Sequence, residues 1–278
     1  MKQPVLKNDA FLQDVDRHTG RKGVRLWWLG QSGFLLHWDA NFLLFDPYLS
    51  DSLTDKYAGT AKPHVRMTAQ VVHPLDLYMV DVVASSHNHT DHLDRETLGP
   101  LRAANGERLK LVIPEANRAF VVERLECEPE WPVGMNDGEV KQVGPFEFHG
   151  IASAHEGLDR TEAGLHPYLG NVVKFGGHAV YHPGDTVLYE GLVEKLRPHH
   201  VDVAMLPING SLPERGVAGN LWGREAAWLA KEAQVKLAIP CHFDMFAFNT
   251  VTTDEFESEC RRLGQRFKVL KNGEGLTL

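Results

Sequence analysis

Cysteine is scarce in this 278-residue chain. Cys127, Cys241 and Cys260 are odd in number and show no C-x-x-C spacing, which excludes a disulfide framework and points to a reducing compartment. No run approaches the roughly 18 apolar residues that span a bilayer. The first twenty residues are charged and lack an apolar signal core, so a cytoplasmic protein without a membrane partner is expected. Basic excess is also missing. Lys and Arg number 29 against 37 Asp and Glu, a net charge of −8, the wrong sign for a nucleic-acid partner. There is no repeat, no low-complexity tract and no linker rich in Pro, Gly and Ser, so residues 1–278 are read as a single domain.

Histidine, by contrast, is abundant. Fifteen residues are His, the commonest metal ligand and the usual proton carrier near pH 7. Three of them fall in Ser86-His87-Asn88-His89-Thr90-Asp91-His92-Leu93-Asp94, directly after the apolar run Asp81–Ser85. A His-x-His-x-Asp-His pattern on one short loop is metal-ligand spacing. The plain alternative is a solvated polar turn ahead of a helix, with Asp94 as its N-cap.

Apolar periodicity supplies the surroundings. Val24–Leu29, Phe34–Trp38 and Phe42–Phe45 read as an antiparallel meander. Further strands are expected at Leu111–Ile113, Glu139–Val143, Phe146–Ala152, Asn171–Phe175, Ala179–His182, Val203–Leu206, Leu237–Ile239 and Phe267–Leu270. Helices are expected from Arg95 and at Glu115–Leu125, Leu188–Leu196, Arg224–Ala233 and Asp254–Leu263. Strand runs giving way to strand–helix alternation in both halves imply two packed sheets with helices outside. Three strand ends carry further ligand-capable residues: His155, Asp185 after a Gly turn, and His242.

Taken in order, His87-x-His89-x-Asp91-His92, then His155, Gly184-Asp185 and His242, resemble the metallo-β-lactamase fold superfamily over essentially the whole chain. The resemblance implies an α/β (α+β) fold, a four-layer αββα sandwich of two mixed β-sheets. It further implies that His87, His89 and His155 hold one divalent metal, that Asp91, His92 and His242 hold a second, and that Asp185 bridges both. Trp28–Phe34, Phe45-Asp46-Pro47-Tyr48, Leu206–Gly210 and Ile239–Phe246 look most like the L-ascorbate 6-phosphate lactonase group. That likeness implies a metal-dependent hydrolase of a lactone or ester in a small phosphorylated or carboxylated sugar-type substrate, and leaves room for a homo-oligomer.

The ligand chemistry is consistent with one or two ions. Nitrogen and carboxylate oxygen without thiolate suit Zn²⁺, Mn²⁺ or Fe²⁺, and the resemblance favours Mn²⁺. Metal-bound water has a pKa near 7, a source of hydroxide for attack on an ester. Asp91 is the expected catalytic residue, orienting that water and shuttling its proton. Asp46 is expected behind a ligand imidazole. An anionic substrate asks for polar and basic contacts, for which Asn209, Arg215, Arg160 and Lys174 are the candidates. His182 and Cys241 should point away from the site by strand alternation, while His64, His199 and His200 are expected at the surface and Trp27–Trp28 in the core. A phosphodiesterase acting on a small cyclic diester and a non-catalytic metal-binding protein are the rival readings.

Overall fold

The computed structural model describes all 278 residues. The first half of the chain builds one sheet from β1 (Val24–Gly30), β2 (Gly33–Trp38), β3 (Asn41–Phe45), β4 (Val82–Ala84), β5 (Lys110–Pro114) and β6 (Pro132–Met135). The second half builds another from β7 (Val140–Val143), β8 (Phe146–Ala152), β9 (Leu169–Phe175), β10 (His178–His182), β11 (Val203–Pro207) and β12 (Leu237–Cys241). The final strand β13 (Gly275–Thr277) returns to pair antiparallel with β1.

The two sheets follow one plan. In the first, β1 to β3 form the expected antiparallel meander, and β3 to β6 are parallel. In the second, β7 to β10 are antiparallel and β10 to β12 parallel. Parallel neighbours need crossovers, which helices supply. α3 (Arg95–Asn105) and α4 (Arg118–Leu125) serve the first half, as α5 (Leu192–Leu196) and α6 (Gly223–Glu232) serve the second, with α1 (Asp9–His18), α2 (Ser52–Lys56) and α7 (Asp254–Leu263) added outside. None is long and apolar enough to cross a membrane.

Side-chain alternation explains why the strands are apolar on both faces. Trp28, Phe34, Leu36, Leu43 and Phe45 point between the sheets and meet Phe146, Phe148, Val173 and Val180. Their neighbours Trp27, Leu35, Leu44 and Val83 point outward onto Phe11, Val15, Leu98 and Leu101. A sheet covered on both sides has no polar face, so its strands lose the period-two polar signal. The Trp27–Trp28 pair is thus core, one ring on each face.

Some expectations need correction. Phe267–Leu270 is not a strand. Phe267 makes one parallel bridge to Ala238 and packs edge-on against Phe256, after which the chain turns toward β1 through Gly273, whose N–H donates to Trp28 O. The apolar residues there are held by packing, not by a ladder. Residues 188–191 lie outside α5, because Gly191 at φ 94° starts the helix late. The chain also forms α1, α2, β6 and β13, which were not expected.

Candidate metal centre

The ligand loop follows β4. Its end is closed by Asp94, which caps α3 by accepting from Glu96 N (3.3 Å) and Thr97 Oγ1 (2.6 Å). A tight turn links Leu93 N to His89 O at 2.8 Å, and Arg124 reaches across from α4 to donate to Asn88 O (2.8 Å) and Leu93 O (3.1 Å). The loop is therefore fixed from both sides, with His87 and His92 buried and His89 exposed.

Three other strand ends converge on it. The segment after β8 and the segment after β10 are stitched together: Ala154 N donates to Thr186 Oγ1 (3.0 Å) and Ser153 Oγ to Pro183 O (2.7 Å). That places His155 beside Asp185. Gly184 is required at its position, with φ +67° and an added Cβ only 2.1 Å from Ser86 Oγ. His242 follows β12, and its N–H donates to Gln31 O at 2.9 Å.

The side chains meet in three groups whose donor atoms lie within 4.8 Å of one another: His87, His89 and His155; His87, His92 and Asp185; and Asp91, His92 and His242. His155 Nε2 lies 3.2 Å from His89 Nδ1 and 3.6 Å from Asp185 Oδ2. Asp185 Oδ2 is also 3.3 Å from His242 Nε2, and its Oδ1 is 3.3 Å from His92 Nε2. Asp185 thus stands between the two halves of the cluster.

Outer contacts set the tautomers. Asp46, fully buried, accepts from Ser86 N (2.7 Å), Ser86 Oγ (2.6 Å) and His92 Nδ1 (2.6 Å). His155 Nδ1 donates to Gly219 O at 3.1 Å, and His87 Nδ1 lies 3.0 Å from Ser86 Oγ. Each ring therefore turns Nε2 inward, the arrangement that orients metal-binding imidazoles. Among these inward atoms, His87 Nε2 and His92 Nε2, together with Asp185 Oδ1, are buried and make no hydrogen bond. A buried polar atom without a partner is costly, and a divalent cation would satisfy all three.

The electrostatics agree with that fit. Burial lowers the His87 pKa well below its ordinary value, with neighbouring His92 and His89 adding to the effect, so its imidazole is a neutral donor. Burial works against ionised Asp185 and Asp91, yet the adjacent imidazoles override it and hold both carboxyls below the usual range. The reciprocal effect raises His242 to about 9 despite burial, chiefly through Asp185. Burial works against a charged His92 too, yet Asp185 and Asp91 raise its pKa, so the two carboxylates hold protons on His92 and His242 that a divalent cation would replace.

The cluster forms the floor of a cavity of about 640 Å³. Gln31 Nε2 donates to Asp91 Oδ2 at 2.8 Å and lies 3.1 Å from His242 Nε2. Tyr168 packs its ring against His87 and His155 at 5.4 and 5.2 Å. Lys56, His64, Arg124 and Asn249 line the same space. None of these was picked as a site residue from the sequence. Gln31 carried a signal in its place within the Gly30-Gln31-Ser32-Gly33 turn between two apolar runs; the others come from separate loops and had none.

Of the expected substrate contacts, none lines the cavity. Lys174 lies towards the far end of β9, paired with Ala179 and Glu147, while Leu169 at the near end pairs with Ala152 beside His155. Five residues of strand separate the two ends, about 16 Å. Arg160 is exposed and its Nε donates to His166 Nε2 at 3.0 Å. Asn209 is buried and donates to Asn249 Oδ1 at 3.0 Å, and Arg215 bonds Asn209 O and Thr250 O. Those two act through Asn249 and not on the cavity itself. His64 also departs from expectation, being half-buried in the cavity wall, and His199 is half-buried against His149. His182 does point away: its Nε2 donates to Ser32 O at 2.8 Å and its ring stacks on Phe45.

Residues 41–243 match the family model described as beta-lactamase superfamily domain. The chain belongs to that superfamily. Within it, the chain is 32% identical over 255 residues to a UPF0173 metal-dependent hydrolase of Opitutus terrae, covering 90% of this chain and 98% of that one, and so belongs with the UPF0173 metal-dependent hydrolases. A second such hydrolase, from Pyrococcus furiosus, is 28% identical over 92% of this chain and all of its own length. Solved structures share the fold. A metallo hydrolase from Ignicoccus hospitalis superposes with a TM-score of 0.67 at 21% identity, covering 92% of this chain and 99% of that one. An isothiocyanate hydrolase from Delia radicum gut bacteria gives 0.71 at 18%, covering 91% and 98%. The four-layer sandwich of two mixed sheets is therefore the metallo-β-lactamase fold, and the chain is a metal-dependent hydrolase of that superfamily.

Proposed function

We propose that this hydrolase cleaves a lactone or ester bond in a small carboxylated or phosphorylated substrate. One or two Mn²⁺ or Zn²⁺ ions would be held by His87, His89, Asp91, His92, His155, Asp185 and His242. The observation that carries the reading is the convergence of inward-facing ring nitrogens around Asp185 at the floor of one cavity, with no thiolate among the donors. The chemistry a divalent cation would supply there is Lewis acidity, making a water acidic enough to yield hydroxide near pH 7 and polarising a carbonyl.

The chain supplies orientation and proton handling. Asp91 is ionised at neutral pH, fixed by the Gln31 amide and open to the cavity through its 17% exposed side chain. It accepts a hydrogen bond from the attacking water, aims it at the substrate, and carries the proton towards the leaving alkoxide. Tyr168 keeps its phenol protonated, because burial and nearby acids raise its pKa, so it is a donor at the cavity wall. Lys56 and Arg124 place positive charge on the cavity lining, which suits an anionic substrate.

The test is a panel of lactones and carboxylic esters set against bis-p-nitrophenyl phosphate, assayed with Mn²⁺- and Zn²⁺-loaded protein. Turnover of the lactones or esters is expected. Turnover of the diester alone would replace this reading by a phosphodiesterase, and turnover of neither class would remove both.

A further inference from the structure

The metal floor explains only one side of the cavity. The side next to α2 is a wall of aromatic rings. His64 stacks on Tyr57 with centroids 4.1 Å apart, and meets Phe246 and Phe248 edge-on at 5.2 and 4.6 Å. These rings belong to a separate apolar cluster, with Tyr48, Leu53, Met245 and Phe246 buried and Tyr57 and Phe248 half-buried against them. Neither sheet core includes them. Their incompletely covered members, Tyr57, His64 and Phe248, all line the cavity that holds Asp91 and His155.

The wall is held in place by its own bonds. Arg66 bridges antiparallel to Phe246, Ala247 N donates to Val65 O (3.1 Å), and Thr54 Oγ1 donates to His64 O (2.7 Å). Arg66 Nε further ties the segment to Asp51 at 2.6 Å. A preorganised apolar surface gains affinity for a guest because little ordering is left to do on binding. His64 presents a flat neutral ring: burial lowers its pKa, and its Nδ1 donates to Lys62 O at 3.0 Å.

Charge selects the kind of guest. The Lys56 ammonium lies 5.2 Å from the Tyr57 ring centre, and across the cavity the Arg124 guanidinium lies 4.3 Å from that of Phe120. The Tyr57 and Phe120 rings each already have a cation, and those two side chains put positive charge on the cavity lining. A neutral or anionic guest is favoured, and planar rings best match the stacked and edge-on surfaces offered.

We propose that the substrate carries a planar apolar group, an aryl ring or one of like shape, which packs on Tyr57, His64 and Phe248 while its acyl end reaches the metal floor. This deepens the proposed hydrolase reading and rests on that floor as the reacting centre. It departs from the sugar-type body implied by the lactonase resemblance.

The experiment measures calorimetric binding of three carboxylates to Mn²⁺-loaded protein: acetate, phenylacetate and gluconate. Burying the ring should make phenylacetate about tenfold to a hundredfold tighter than acetate. His64→Ala and Phe248→Ala should erase most of that preference while Mn content, measured by plasma mass spectrometry, stays the same. Phe248→Leu keeps apolar volume without the ring and serves if an alanine variant fails to fold. Equal binding of acetate and phenylacetate, tighter binding of gluconate, a preference that survives the substitutions, or no binding by any of the three would each overturn the proposal. Selective aryl binding without turnover of any ester or lactone would keep the wall and remove the hydrolysis reading; turnover without aryl preference would do the reverse.

Discussion

Asp46→Asn would keep the size and shape of a fully buried side chain and change only its hydrogen-bonding capacity. Asp46 accepts three bonds, two from Ser86 and one from His92 Nδ1, at 2.6 to 2.7 Å. An asparagine has one accepting oxygen and one donating nitrogen. The oxygen can stay on the Ser86 N–H, which puts the NH₂ at the other carboxylate position, facing both Ser86 Oγ and His92 Nδ1. The ring must then surrender the Nδ1 proton and carry it on Nε2, the atom aimed at the metal floor. Loss of such an outer partner costs about 10- to 100-fold in metal affinity, equivalent to about 1.4 to 2.7 kcal/mol. Competition against a chelator of known affinity reads the number directly, and thermal unfolding of the metal-free protein shows whether the fold survived. Unchanged affinity in a folded variant would refute the reasoning, since the tautomer would then not depend on Asp46.

Other outcomes follow from the same geometry. The protein is expected to carry one to two equivalents of transition metal by plasma mass spectrometry, and Asp185→Ala should remove metal and hydrolysis together; full activity in that metal-free variant would sink the mechanism. Arg124→Ala should weaken metal binding, because Asn88 O and Leu93 O lose their tie, whereas Lys174→Ala should leave chelator competition and kcat/KM as they were. Gly184→Ala should destabilise by at least about 2 kcal/mol in denaturant unfolding, from positive φ and the contact with Ser86. Burial works against ionised Asp137, yet its bonds with Lys195 (2.5 Å) and Ala152 N (2.8 Å) hold its pKa below the ordinary value. A depressed folded pKa gives stability that is present above the unfolded value near 3.9 and lost as pH falls through the folded one. Asp137→Asn should therefore be less stable than the parent at pH 7, and the gap should close on acidification below about pH 4.

The residues that gather into the His/Asp cluster were legible in the amino-acid order because their signals are local. His87, His89, Asp91 and His92 share one loop, so the spacing itself places four donors together. His155, Asp185 and His242 announce themselves as polar residues just after apolar runs, at strand ends where α/β folds build their sites. The two-sheet core was legible for a similar reason: each strand's apolar run reports burial on both faces. Phe267–Leu270 misled because apolar content marks burial and does not by itself demand a ladder.

The tertiary structure decided which side chains surround the ligands. Gln31 and Asp91 are 60 residues apart, and their hydrogen bond depends on how the β1–β2 turn meets the β4 loop. His64 looked like a surface residue because nothing near it in the chain is aromatic except Tyr57; Phe246 and Phe248 reach it from beyond β12. Lys174 looked close to His155 until strand direction carried it away along β9. Chain order records what a residue is and what its neighbours are, which is enough for a ligand loop and for the burial of a strand. A cavity wall is made by segments that touch only after the sheets have packed, so its members share no spacing that could be read in advance.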